Sequence, residues 1–249
     1  MAEMVNSTDR EPPASASQRI LGFVQFCASR CGRRRRAIVR PVTAGVDATS
    51  RWRPGPKRLA RLLLGLVLFG AGEALLVASD LGNSPWTVLA EGVGEQTTIG
   101  VGAATVALSL LVLLAWIPLR QVPGLGTILN ALLVGAALGL VLEAVTTPDE
   151  LAWRYGLVVG GIALVGLGSG LYLGSRLGAG PRDGLMLGLH RRTGVSVRLT
   201  RTALEVSVVV AGALLGGTAG IGTLAFAVLI GPAVQAALLL LRSAPAAQL

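Results

Sequence analysis

The chain contains 249 residues, of which 52% are hydrophobic and 14% are charged, and its mean hydropathy is +0.67. These values exclude an ordinary soluble domain and indicate an integral membrane protein. The net charge of +9 is concentrated near the start, because residues 1–58 carry twelve Lys and Arg against four acids. The remainder is close to neutral, so we expect no nucleic-acid-binding surface.

Residues 1–57 are rich in Ser, Pro, Ala and Arg and are predicted to form a disordered, basic cytoplasmic leader. Both cysteines, Cys27 and Cys31, lie in this leader without a metal-ligand spacing or a His partner. We therefore predict no cofactor and no metal site. An enzyme is the least supported class, since the chain carries no His-Glu-x-x-His or Gly-x-Ser-x-Gly motif, and no catalytic residue is assigned.

Six apolar segments follow the leader, and each is a candidate to cross a bilayer core that needs roughly 20 helical residues. They cover residues 59–79, 101–118, 124–145, 156–175, 203–216 with flanks, and 223–241. We therefore predict an all-α transmembrane domain over residues 58–242, followed by a short tail at 243–249. The fifth segment is the weakest, because Glu205 lies near its start.

Charged residues predict the orientation of this domain, because Lys and Arg collect on the cytoplasmic side of a membrane protein. The leader and the connection 176–201 are basic, whereas the loops 80–99 and 143–154 are acidic. Both termini are therefore expected in the cytoplasm. The prediction is a multi-pass protein of the bacterial cytoplasmic membrane, with the lipid bilayer as its surroundings.

A repeat with an offset of 96 residues relates the two halves of the domain. Between residues 59–145 and 155–241, 26 of 87 pairs are identical without a gap, and Pro85 coincides with Pro181. Each half contains three predicted spans, so the two halves must enter the membrane from opposite sides. We therefore predict six transmembrane helices in two inverted three-helix repeats that contain broken, half-helix segments.

Several motifs of the second half resemble a known family. They are Gly178-Ala-Gly-Pro-Arg-Asp-Gly-Leu-Met-Leu-Gly-Leu189, Gly216-Gly-Thr-Ala-Gly-Ile-Gly-Thr223 and Ile230-Gly-Pro232. This pattern resembles the YczE family of bacterial integral membrane proteins, which is similar to the wider YitT-like group, and the resemblance covers about 59–241. It implies a membrane location and a fold, and little about mechanism, although some members are discussed as transporters or regulators.

The second proline motif is the main candidate for function. Gly180 and Pro181 are predicted to open a short half-helix, whose free N–H groups and neighbouring Arg182 suit an anionic group. Asp183 is a candidate to hold Arg182, to accept a proton or to coordinate a cation. The alternative is a tight turn that places both charges at the lipid headgroups.

The first repeat supplies the matching candidates Pro85, Trp86 and Thr87. Trp86 either anchors the outer membrane interface or contacts a solute. Glu73 is expected inside the outer half of the membrane, where an acid is costly unless it is neutral or paired. It is therefore the candidate coupling group, and a structural pairing with Asn130 or a hydroxyl is the alternative.

Together these features predict a secondary transporter or permease that carries a small solute with a coupling ion. The alternative is a non-transporting membrane regulator or partner protein. In that case the basic leader would bind anionic lipid or a cytosolic protein.

Overall fold

The computed structural model describes residues 52–243, and within them all regular structure is helical. These described residues form eight helices in chain order: α1 (Pro56–Ser79), α2 (Pro85–Thr97), α3 (Val101–Trp116), α4 (Leu125–Ala144), α5 (Leu151–Ser175), α6 (Pro181–Thr193), α7 (Val197–Leu214) and α8 (Ile221–Ser243). The predicted all-α class is confirmed. Apart from residues 52–57 and 243, the predicted leader and tail lie outside the described residues.

The lengths and compositions of the helices identify fewer membrane spans than the six expected. Within the described residues, α1, α4, α5 and α8 are each long and apolar enough to cross a membrane. A fifth span results if α2 and α3, which are bent by 112°, count as one. Helix α3 has 16 residues, or about 24 Å, and α7 carries Arg198, Arg201 and Glu205 in its first half.

Helices α1 and α5 form the centre of the fold and run antiparallel, in contact along their length. A Cβ atom on Gly65 would lie 2.8 Å from the carbonyl oxygen of Gly168, and one on Gly72 would lie 2.7 Å from that of Gly161. Only glycine allows the two backbones to approach this closely, which is a common way to pack helices in lipid.

Helices α4 and α8 flank this central pair. Gly70 of α1 meets Val134 of α4, and Gly166 of α5 meets Ala233 of α8. Two buried apolar clusters lie at these contacts: Leu62, Leu66, Val134, Tyr172 and Leu177 in one, and Leu76, Val158, Ile162, Val165, Phe226 and Ile230 in the other. The outer faces of the same helices expose large apolar side chains, as expected of surfaces that contact lipid.

An extended segment precedes each of the short helices α2 and α6. Both segments begin with a backbone in the left-handed region, at Gly82 (φ 119°) and Gly178 (φ 140°), where a side chain would be strained. The N–H of Gly222, at the start of α8, donates to Leu81 O at 2.8 Å, and the N–H of Gly126 donates to Leu177 O at 3.0 Å. Each Gly-x-Gly-Thr turn therefore holds the broken segment of the other half.

The 96-residue offset recurs in the backbone. Helices α2 and α6 begin at Pro85 and Pro181, and α4 and α8 begin at Leu125 and Ile221. The positive-φ residues in the described part of the chain also form pairs at this offset: Asp80 with Arg176, Gly82 with Gly178, Thr98 with Gly194, and Arg120 with Gly216. The two halves therefore share local geometry as well as sequence.

Candidate functional site

The two proline motifs meet where α2 and α6 begin. Trp86 and Arg182 are the second residues of these helices and occupy equivalent positions in the 96-residue alignment. The guanidinium carbon of Arg182 lies 5.3 Å from the centroid of the Trp86 ring, and both residues are half-buried. A cation–π contact therefore joins the two half-helices at their N-terminal ends.

Asp183 does not hold Arg182. Its Oδ2 atom accepts a hydrogen bond of 2.6 Å from the hydroxyl of Tyr172 on α5. Within residues 52–243, the side-chain ion pairs are Arg154 with Asp80 and Arg201 with Glu205. No carboxylate oxygen of these residues therefore lies within 4.0 Å of the Arg182 guanidinium.

Gly180 leaves a polar notch beside this hydrogen bond. A Cβ atom at Gly180 would lie 3.4 Å from the Tyr172 hydroxyl, 3.3 Å from Asp183 Oδ2 and 3.6 Å from Asn130 Nδ2. Asn130 therefore lies beside the α6 half-helix, and the predicted alternative of a Glu73–Asn130 pair is not what the structure contains.

Glu73 is fully buried on α1 and binds the start of α2. Its Oε2 atom accepts hydrogen bonds of 2.7 Å from both Ser84 Oγ and Thr87 Oγ1. The Oε1 atom is also buried and has no hydrogen-bond partner within the described residues. The predicted hydroxyl pairing is therefore present, yet half of the carboxylate is unsatisfied, which is unusual for a buried charged group.

The charges around the two N-terminal ends are unequal. Glu73 binds the start of α2, and both Arg182 and Asp183 lie in the first turn of α6. Glu205 on α7 is paired with Arg201 at 2.8 Å. Within the described residues, no three His, Cys, Asp or Glu side chains come together as metal ligands.

Trp116 fixes the position of α6. Its Nε1 atom donates a hydrogen bond of 3.0 Å to the carbonyl oxygen of Pro181. The indole ring covers Gly184, where a Cβ atom would overlap the ring. The residue is 4% exposed, so α3 holds the start of α6 by a buried contact.

A second polar cluster lies further along α2. The carboxylate of Glu91 accepts hydrogen bonds from the N–H of Thr218 at 2.6 Å, from Thr218 Oγ1 at 3.1 Å and from Asn83 Nδ2 at 2.7 Å. The N–H of Asn83 in turn donates to Thr218 O at 3.2 Å. We call these three residues the Glu91 cluster, because its hydrogen bonds join α2 to the connection between α7 and α8.

The sequence patterns did not identify Tyr172, Ser84, Trp116 or the Glu91 cluster. Ser84 directly precedes Pro85 and stands at a helix N-cap, so its position gave a signal. Tyr172 and Trp116 lie inside apolar helices, where aromatic residues are ordinary core positions. Their roles depend on contacts across 11 and 65 residues of chain, which a local pattern does not contain.

Comparison with known proteins gives the family but no activity. Residues 56–238 match the profile described as "Family of unknown function (DUF6198)". An uncharacterized protein of Haemophilus influenzae is 43% identical over 188 residues, which cover 76% of this chain and 86% of that protein. No solved structure matches the chain.

Two proteins of Bacillus subtilis are also similar. The uncharacterized membrane protein YczE is 32% identical over 178 residues, which cover 67% of this chain and 79% of that protein. The uncharacterized protein YyaS is 27% identical over 165 residues, which cover 65% of this chain and 82% of that protein. With its apolar helices and these matches, the chain is a membrane protein that belongs to the YczE-like family covered by that profile.

Proposed function

We propose that this protein is a secondary transporter or permease for a small solute, and that it performs no enzymatic reaction. The observation that carries this proposal is the contact between Trp86 and Arg182, at 5.3 Å. It joins equivalent positions of two broken segments, and transporters built from repeats commonly bind solutes where such segments meet. The candidate site comprises Gly180, Pro181, Arg182 and Asp183 from one repeat and Pro85, Trp86 and Thr87 from the other.

The proposed arrangement in the membrane is two inverted repeats with six crossings. Helices α1 and α5 are antiparallel, and the offset of 96 residues between Pro85 and Pro181 supports equivalent roles for α2 and α6. The pairs α2–α3 and α6–α7 would then each supply one broken crossing. The basic 176–201 region and the acidic 80–99 loop support a cytoplasmic-membrane protein with both termini inside.

Glu73 is the proposed coupling group. It is 0% exposed, contacts the start of α2 through Ser84 and Thr87, and has one unpartnered carboxylate oxygen. A proton or a small cation on that oxygen would satisfy it and would change the charge at the start of α2, whose second residue, Trp86, contacts Arg182. Solute binding and ion binding would thereby influence each other.

Uptake of solute into proteoliposomes tests this proposal. The purified full chain is reconstituted, a proton or Na⁺ gradient is imposed, and the uptake of a panel of labelled small solutes is measured. We expect gradient-driven accumulation of at least one solute. Glu73→Gln should abolish the dependence on the gradient but retain exchange of solute across the membrane.

Glu143→Gln is the matched control for that experiment, since it removes the same charge from an exposed position at the end of α4. It should leave accumulation unchanged. No gradient-dependent flux of any solute in the wild type would contradict the transport proposal, as would equal effects of the two variants.

A non-transporting regulator is the second candidate, and the strongly basic residues 1–58 favour it. The first helix of the described residues is α1, whose N-cap is Gly55, so removal of residues 1–54 leaves α1 to α8 in the chain. A truncated protein that stays folded and active in flux would support transport. Loss of binding to anionic vesicles or to a cytosolic partner, in a protein without flux, would support the regulator.

A further inference from the structure

Around the start of α6, several hydrogen-bond donors have no acceptor among the described residues. The guanidinium of Arg182 has five N–H donors, and within the described residues none of them has an acceptor at bonding distance. Asn130 likewise presents its Nδ2 atom beside Gly180 without a hydrogen bond to another described residue. Both residues are half-buried, so their donors are open to an acceptor that the described part of the chain does not supply.

The nearby acids form hydrogen bonds with hydroxyl groups and none with Arg182. Asp183 accepts the hydroxyl of Tyr172 at 2.6 Å, and Glu73 accepts those of Ser84 and Thr87 at 2.7 Å. A guanidinium group normally pairs with a carboxylate when one is near, since the two form parallel hydrogen bonds. Here the acids are bound by neutral donors, and the guanidinium is left with its N–H edge unpaired.

Trp86 holds the guanidinium in position without using its donors. The cation–π contact places the guanidinium carbon over the ring, 5.3 Å from the centroid, and uses none of the N–H donors in a hydrogen bond. This contact restrains the side chain before a ligand arrives, which reduces the entropy lost on binding. The half-helix N-terminus beside it adds further N–H donors.

On this basis, and resting on the transport function proposed above, we propose that the solute is an oxyanion, a carboxylate or a phosphate, bound by the Arg182 guanidinium on Trp86. Two oxygen atoms of such a group match the planar fork of Arg. Asn130, beside the Gly180 notch, is placed to donate a further hydrogen bond.

An oxyanion at this site should arrive with a positive ion. Around the two helix starts, Glu73 is bonded to Ser84 and Thr87, Asp183 is bonded to Tyr172, and Arg182 lies over Trp86, while Glu205 on α7 is paired with Arg201. The two acids outnumber the base, so an oxyanion would add negative charge in a region of low polarity. The unpartnered Oε1 of Glu73 is the position for the compensating proton or Na⁺.

Tryptophan fluorescence of the purified full chain in detergent tests the binding of the anion. Sodium acetate and sodium phosphate are titrated separately, with sodium chloride at equal ionic strength as the reference. We expect a saturable change with acetate or phosphate that is absent with chloride. Trp86→Phe should remove the fluorescence change while ligand-induced thermal stabilisation remains, because the anion contacts Arg182 directly.

Arg182→Lys keeps the positive charge but loses the two parallel N–H donors of the guanidinium. The affinity for the anion should therefore fall roughly 10- to 100-fold, as for one lost charge-assisted hydrogen bond. Arg191→Lys, on an exposed turn of the same helix, should have no effect. Thermal unfolding and size-exclusion profiles establish that each variant is folded. The proposal would be overturned if choline chloride or guanidinium chloride produced the same fluorescence change. It would also be overturned if acetate and phosphate bound Arg182→Lys and Arg182→Gln as tightly as the wild type.

The compensating ion is tested by repeating the anion titration at pH 5.5 and pH 8 and with Na⁺ replaced by choline. Anion affinity should rise with proton or Na⁺ concentration in the wild type, and Glu73→Gln should remove this dependence. Affinity independent of both ions would overturn the coupling. Binding without flux in vesicles would refute transport alone, whereas flux without anion binding would refute the oxyanion assignment alone.

Discussion

Replacement of Glu91 by Ala should release α2 from the connection between α7 and α8. The carboxylate accepts three hydrogen bonds, two from Thr218 and one from Asn83. Hydrogen bonds to a charged group contribute about 1.5–3 kcal/mol each when buried. Glu91 is half-buried, so water replaces part of what is lost, and we expect a total loss of about 2–3 kcal/mol for local opening.

Hydrogen exchange, measured by mass spectrometry, detects this loss of stability at the amide of Thr218. The N–H of Thr218 donates to Glu91 Oε2 at 2.6 Å and should be protected in the wild type. A loss of about 2–3 kcal/mol corresponds to exchange that is roughly 30 to 150 times faster in Glu91→Ala. The effect should be confined to peptides that contain the α7–α8 connection and the start of α2.

Glu95→Ala is the matched control, because it makes the same change one turn further along α2 at an exposed position. Within residues 52–243 the Glu95 carboxylate has no hydrogen-bond partner, so Thr218 should exchange as in the wild type. Equal exchange at Thr218 in Glu91→Ala and the wild type would refute the role of the Glu91 cluster in holding α2. Equal acceleration in both variants would show a general charge effect instead.

Two further predictions concern helix packing. Gly135→Ala should destabilise the protein by about 1–3 kcal/mol, because its Cβ atom would lie 2.6 Å from the carbonyl oxygen of Gly102. Gly156→Ala, with nothing within 4 Å, should be neutral or slightly stabilising in the same thermal unfolding assay. Gly184→Ala should also destabilise, because the new methyl group overlaps the Trp116 ring, and a Trp116→Leu background should recover much of the loss. Additive effects of the last two substitutions in a double-mutant cycle would contradict this contact.

The sequence by itself determined the chemical class of the protein and its internal repetition. A mean hydropathy of +0.67 is incompatible with an ordinary soluble domain. A backbone in a membrane must satisfy its own hydrogen bonds, and the apolar segments have the length of spanning helices. The offset of 96 residues also predicted that Pro85 and Pro181 begin equivalent helices, as they do. These inferences depend on composition and chain order, which the sequence contains in full.

The sequence did not determine the number of membrane spans. Six apolar segments were expected to cross, whereas four helices of the described chain qualify alone and the bent pair α2–α3 supplies a fifth candidate. The difference arises because hydropathy averages over a window and does not register a bend. The break between Thr97 and Val101 turns the chain by 112°.

The partners of each polar side chain were decided only by the tertiary structure. Asp183 is next to Arg182 in sequence, yet it binds Tyr172, while Arg182 lies over Trp86 of the other half-helix. Adjacent residues on a helix point in different directions, since each turns by about 100°. Contacts between distant segments depend on how the helices pack, and that packing leaves one oxygen of Glu73 buried without a hydrogen-bond partner within the described chain.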